Sequence, residues 1–172
     1  MSTIIDGSAS VTINNGAVLG ITRGTAVAST SGTSIDFTSI PSWVKRITVM
    51  FSGVNYSAST LQIQSGVGSI ENTGYQSSMT VNSGTTVTTS NITSGYSVTP
   101  NAGSPNSGLF IMTLIGSNTW VAQVVTNAGG ANSVVIAAGT KTFSGVIDRV
   151  RITTVSGAGT FSAGTINIMY EG

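Results

Sequence analysis

From Val44 the chain alternates in character: Ile47, Val49 and Phe51 fall on one side of an extended backbone, and Arg46, Thr48 and Met50 on the other. That is the period of a half-buried strand, not the three-to-four spacing of a helix. Pro41 stands just ahead of the run, where its missing N–H removes no sheet hydrogen bond. The alternation returns in Leu61-Gln62-Ile63-Gln64. Residues 108–115 and 120–126 flank Gly116-Ser117-Asn118-Thr119, the pattern of an antiparallel hairpin. Residues 133–137, 147–155 and 165–171 supply three more strands, each bounded by glycine. Leu109, Phe110, Ile111, Met112 and Leu114 make both faces of one strand apolar, as expected of a central strand or a subunit contact.

No window keeps apolar residues at helical spacing for several turns, so the chain reads as all-β. Regular strand and turn spacing predicts an antiparallel two-sheet β-sandwich, jelly-roll-like, with an N-terminal β arm or hairpin. Within the first 30 residues, short strands at 11–13 and 17–21 are separated by Asn14-Asn15-Gly16, a hairpin signal because Asn and Gly tolerate positive φ. Residues 1–30 read as an arm or attachment segment, with the first strands of the main domain as the alternative, and residues 31–172 as the sandwich. Between residues 65 and 105, Gly, Ser, Thr and Asn dominate, which predicts mostly loop, with a Thr-rich strand near residues 85–89. The segment 55–59 also reads as a polar loop. Val44-Lys45-Arg46-Ile47-Thr48 echoes Val150-Arg151-Ile152-Thr153, which we read as two similar strands and not a duplicated domain.

Six Lys and Arg and five Asp and Glu leave a net charge of +1 over 172 residues, so hydroxyls and amides carry most of the polarity. Such sparse charge offers no basis for capturing nucleic acid or an anionic membrane. It also leaves β surfaces with little to keep them apart, a property suited to burial within an assembly. No stretch resembles a signal peptide or a membrane helix, which predicts synthesis in a cytoplasm.

Chemistry is restricted further by what is missing. Without histidine there is no Ser-His-Asp triad and no His-based metal site, and without cysteine there is no thiolate, disulfide or Cys zinc site. Of the acids, Asp6, Asp36, Glu71, Asp148 and Glu171, only Glu71 lies in the polar segment where a glycosidase carboxylate would be sought, and no paired-acid motif accompanies it. Asn55, Asn72, Asn91 and Asn101 lack the acidic density of a calcium loop and read as turn formers. We therefore expect no enzyme, no cofactor and no metal site. Trp43 and Trp120 adjoin strand starts and are expected in the core or at a subunit contact. Tyr56, Tyr75 and Tyr96 fall in loop-like sequence and are the candidate surface or host-contact residues.

The run from Ser31 to Phe51, with Asn118-Thr119-Trp120-Val121-Ala122 and Asp148-Arg149-Val150-Arg151-Ile152-Thr153-Thr154-Val155, resembles a module of tailed-phage and prophage virion proteins. That module is usually found towards the C-terminal end of tail fibres. The resemblance spans residues 25–171 and closes on Ala163-Gly164-Thr165-Ile166-Asn167-Ile168-Met169-Tyr170-Glu171; residues 65–106 depart from it. It implies a non-enzymatic virion protein, a short tail fibre or receptor-binding module. Its implied partners are two more copies of itself in a homotrimer, other virion proteins and host-surface carbohydrate. A capsid decoration or head-fibre protein is the alternative, and a polysaccharide-degrading tailspike comes third. The resemblance carries no catalytic residues.

Overall fold

The computed structural model describes residues 12–13, 16–17, 20–128 and 132–172. Its strands in chain order begin with β1 (Thr12–Ile13), β2 (Gly16–Ala17), β3 (Thr22–Arg23), β4 (Val27–Ala28), β5 (Ser34–Thr38), β6 (Arg46–Tyr56), β7 (Leu61–Val67) and β8 (Ser69–Glu71). They continue with β9 (Gln76–Ser83), β10 (Thr86–Ile92), β11 (Tyr96–Thr99), β12 (Asn106–Gly116), β13 (Thr119–Ala128), β14 (Ser133–Thr142), β15 (Arg149–Thr154) and β16 (Phe161–Glu171). No helix occurs among the described residues.

These strands form two antiparallel sheets, the sandwich expected from the alternating pattern. The large sheet runs β10-β9-β14-β13-β12-β6-β16-β3, with β4 also on β16; the small sheet runs β11-β7-β15-β5, with β8 also on β7. Strands β1 and β2 pair antiparallel as a separate two-stranded sheet, Thr12 opposite Ala17 and Ile13 opposite Gly16. The two echoing segments lie in opposite sheets, one in β6 and the other in β15.

Register explains why the sheets stack. Across the small sheet, Ile35, Ile152, Ile63 and Tyr96 stand in one row, all facing inward and buried. Across the large sheet the facing row is Met79, Ala137, Val124, Phe110, Val49 and Ile168. A one-residue slip of any of these strands would turn its share of the core to solvent, so burial pins the pairing. Each large apolar side chain in these rows contributes about 1.5–3 kcal/mol by leaving water. Ile47 and Phe51 are buried beside Val49, as the alternation from Val44 requires, while Arg46 stays exposed.

Three expectations need correction. Residues 65–105 are not mainly loop, since β8, β9, β10 and β11 occupy much of the segment. In β9 the inward positions are Ser77, Met79 and Val81 and the rest are small and polar, so serine in a core position masks the period of two. Asn55 and Tyr56 end β6, and the turn follows them, with positive φ at Ala58 and Ser59. Residues 22–29 are not part of an arm. Val27 pairs with Ile166 and Arg23 with Met169, and the Ser29 hydroxyl donates to the Ala163 carbonyl at 2.8 Å, which makes this segment the edge of the sandwich. Residues 1–11, 14–15 and 18–19 of the expected arm, with Asn14 and Asn15 of the expected turn, lie outside the described residues.

The sheet edge bends where Gly164 interrupts the β16–β6 register, at φ +100°. A methyl group there would sit 2.5 Å from the Gly53 carbonyl oxygen, and the backbone conformation itself disfavours any L side chain. Gly164→Ala is therefore expected to destabilise the fold by roughly 1–3 kcal/mol, read as a lowered midpoint in thermal unfolding. An unchanged midpoint would contradict this account of the bulge.

Candidate functional site

The outward positions of the small sheet carry the polar chemistry that its inward rows exclude. Alternation along β5, β15 and β7 sets Asp36, Arg151 and Gln64 side by side in one row, and Thr38, Arg149 and Gly66 in the next. Together with Gly68, Ser69, Ile70 and Asn72 from the β7–β8 turn and beyond, all of these but Gly66 line a hollow of about 440 Å³. A second hollow of about 300 Å³ shares Gln64, Asn72 and Arg151 and extends the groove past Thr153 towards Ser156.

The groove is held in shape by its own charges. Arg151 donates from Nε and Nη2 to the two carboxylate oxygens of Asp36 at 2.7 and 2.8 Å, a planar fork that fixes both side chains. Arg149 forms the same kind of pair with Asp148, at 2.7 and 3.2 Å, and the Gly68 amide lies 3.2 Å from both Asp148 oxygens. The Arg149 guanidinium, helped by that amide, holds the Asp148 carboxyl below its ordinary value, while the Asp36 carboxylate raises the already high value of Arg151. Deeper in the groove, the Gln64 side-chain amide donates to the Ser94 carbonyl at 2.8 Å, and the Ser94 hydroxyl donates to Gln62 Oε1 at 2.7 Å. Two cations and two carboxylates cancel in formal charge. The result is a rigid, neutral groove that presents hydroxyl, amide and guanidinium groups.

Glu71, the acid singled out by its position in sequence, lies elsewhere in function. Its carboxylate is 2.9 Å from the Lys141 ammonium, which is almost fully buried, and it accepts from the Ser144 hydroxyl at 2.7 Å. Lys141 also donates to the Thr73 carbonyl at 3.0 Å and sits 5.1 and 5.0 Å from the ring centres of Tyr75 and Phe143. Partial burial pushes the Glu71 carboxyl up, but hydrogen bonds from Lys141 and Ser144 outweigh it, so the group ionises below its usual value. The remaining described acid, Glu171, is 3.5 Å from Arg46. No group of three or more acids that could hold a metal occurs among the described residues.

The three tyrosines expected at the surface are in the core, each 1% exposed. Tyr56 donates to the Thr99 carbonyl at 2.7 Å, and Tyr96 to the Trp120 carbonyl at 3.3 Å. The Tyr75 hydroxyl accepts from the Ser65 amide at 2.9 Å and donates to the Glu71 carbonyl at 2.9 Å. Burial pushes all three phenols up. They hold segments together inside the sandwich and are not surface residues. Polar neighbours in sequence make them look like loop residues, yet Tyr56 ends β6, Tyr96 opens β11 and Tyr75 stands just before β9, and in β11 the polar Ser97 and Thr99 are themselves buried. Trp120 is buried, as expected, and Trp43 packs half-buried against the core.

Sequence reasoning missed the groove because its central pair joins residues 115 positions apart. The available signal was Asp36 and Arg151 each flanked by apolar inward positions, but only strand order shows that they meet.

The fold and groove thus define an antiparallel β-sandwich with a neutral polar groove on one outer face. No family model, curated protein or solved structure matches the chain.

Two outcomes follow for the buried polar groups. Tyr75→Phe leaves the Ser65 amide and Glu71 carbonyl without their shared partner and is expected to cost about 1–3 kcal/mol in denaturant unfolding; no loss would refute the bridging role. Because the folded Glu71 value is depressed, its contribution is complete above the unfolded value near 4.5 and is lost as pH falls through the folded value. Glu71→Gln should accordingly lower stability at pH 7 by roughly 2 kcal/mol and flatten the acid limb of a stability–pH curve. A variant with the wild-type acid limb would contradict the pairing.

Proposed function

We propose that this chain is a non-enzymatic structural protein of a tailed-phage particle, a short tail fibre or receptor-binding module that acts as a homotrimer at the particle surface. It is made in the host cytoplasm and incorporated into the virion, and its groove meets neutral carbohydrate on the host surface. The family is supported by the resemblance of residues 25–171 to the fibre module. The single observation that carries the binding role is the neutral, pre-formed groove around the Asp36–Arg151 fork.

A polyhydroxyl ligand matches such a site because each sugar hydroxyl both donates and accepts, while the groove offers carboxylate and amide acceptors beside guanidinium and hydroxyl donors. The forks hold their geometry before the ligand arrives, so little ordering entropy remains to be lost on binding. A glycosidase acid needs a carboxyl pKa raised towards neutrality. Here all four described acids face cations, and Asp148 and Glu71 ionise more readily than usual.

The test combines binding with location. Retention of the purified protein on a panel of neutral bacterial surface polysaccharides is expected, weakened roughly tenfold or more by Arg151→Ala. Arg151→Ala removes a pair at the solvent-facing surface of the sheet, its side chains each 37% exposed, which is worth only about 0.2–1 kcal/mol to the fold. Equal retention of wild type and variant, or no retention on any polysaccharide, would overturn the groove's role. Gold-labelled antibody on particles containing the chain should mark the tail; labelling confined to capsomers would replace the fibre reading with capsid decoration.

A further inference from the structure

The outer face of the large sheet is the opposite of the groove. Register places Met50, Leu109, Val125 and Ile136 in one row across β6, β12, β13 and β14, all pointing away from the sandwich core. Leu109 is 46% exposed, Val125 56% and Ile136 61%, so this row is an apolar ridge in solvent. Beside it Ile111 and Val121 help line a hollow of about 280 Å³ on the same face. From β9 through β14 the large sheet carries a single ionisable side chain, Lys141, and that one is buried. The nearest outward charges are at the rim, where Arg46 pairs with Glu171.

We infer that this face is where a second copy of the chain docks, the ridge of one copy entering the hollow of the other. The occupant follows from three properties of the face. Its outward charges, Arg46 (opposite Thr113) and Glu171, pair with each other, so the face has no net charge with which to select a charged partner, and complementarity rests on shape and apolar area. It carries a ridge and a hollow next to each other, so the ridge of one copy can fill the hollow of the next, the head-to-tail contact by which identical chains close into a ring. Four strands about 4.8 Å apart and three outward rows about 6.8 Å apart cover roughly 400 Å² per copy, in which Ile111, Ala138 and Val121 add apolar surface beside the ridge and Thr48, Gln123 and Thr140 stand among them. With an apolar ridge at its middle and hydroxyl and amide side chains around it, that patch suits the core of an interface near the usual 800 Å² per partner. Outward aliphatic side chains on a flat, uncharged sheet also invite uncontrolled pairing, and specific coverage by a like chain removes that hazard.

The inference deepens the homotrimer reading and uses none of its phage or carbohydrate content. Light scattering on the eluting full chain tests it. Wild type should elute as a multiple of 17.3 kDa at micromolar concentration. Val125→Lys, and separately Leu109→Lys, should weaken association roughly 30-fold or more, as loss of an interface hot spot does. Both positions are exposed in the single chain, so the far-ultraviolet circular dichroism should stay that of the wild type. Val146→Lys, at an exposed aliphatic away from this face, should leave the assembly intact. A dimer dissolved by Val125→Lys upholds the docking face and overturns threefold symmetry. A wild type that stays monomeric at high micromolar concentration, or an assembly unaffected by both lysines, overturns the docking face itself.

Discussion

The structure depends on two opposed rows of side chains, Ile35–Ile152–Ile63–Tyr96 from the small sheet and Met79–Ala137–Val124–Phe110–Val49–Ile168 from the large one. The rows are joined by aromatic contact: Tyr96 lies 5.5 Å from Phe110 and 5.0 Å edge-on from Tyr75, and Tyr75 lies 6.0 Å from Phe143. The Tyr96 hydroxyl completes the join on the Trp120 carbonyl of the large sheet. With so few charges available, strand register has to be set by which positions leave water. Once these rows are buried, every alternate residue faces outward, and the character of both outer faces is decided by what remains.

What remains differs sharply between the sheets. On the small sheet it is Asp36, Thr38, Arg149, Arg151 and Gln64, a set that pairs internally and leaves a neutral polar groove. On the large sheet it is Leu109, Val125, Ile136 and their hydroxyl-bearing neighbours. Buried polar groups between the layers are closely matched. Asn106, 1% exposed, reaches the carbonyls of Val54, Asn101 and Ser104 and accepts from the Thr99 hydroxyl, clasping three segments at one corner of the sandwich. Such satisfied networks favour one arrangement of the chain over others of similar compactness. The groove and the apolar face are therefore held in a fixed relation on opposite sides of one core.

Much of this was legible before any coordinates. The alternation around Ile47, Val49 and Phe51 and the hairpin around Gly116-Ser117-Asn118-Thr119 needed only local pattern, and both are present, the latter as β12 and β13. The two apolar faces of residues 109–114 pointed to a covered strand or a subunit contact; β12 is central in the large sheet, with Phe110 inside and Leu109 outside. The Thr-rich strand expected near residues 85–89 is β10, whereas residues 76–83 hide their strand because serine takes the inward position 77 and the outward side of β9 is wholly polar, so hydropathy loses its period there. Tyr56, Tyr75 and Tyr96 escape local pattern for a related reason: a polar neighbourhood in sequence is not a polar neighbourhood in space, and each ring is buried. The groove lay beyond local reading altogether, since Asp36 and Arg151 meet only through the pairing of β5 with β15.

The central claim is a division of labour between two outer faces, an apolar one that is covered and a polar one that stays open. Hydroxyl-radical footprinting of the side chains in the assembled protein, compared with the same protein diluted to single chains, addresses both faces at once. The account expects Met50, Leu109, Val125 and Ile136 to be shielded on assembly while Ile70, in the wall of the groove, keeps its reactivity. Shielding of Ile70 with full reactivity at Leu109 and Val125 would contradict it.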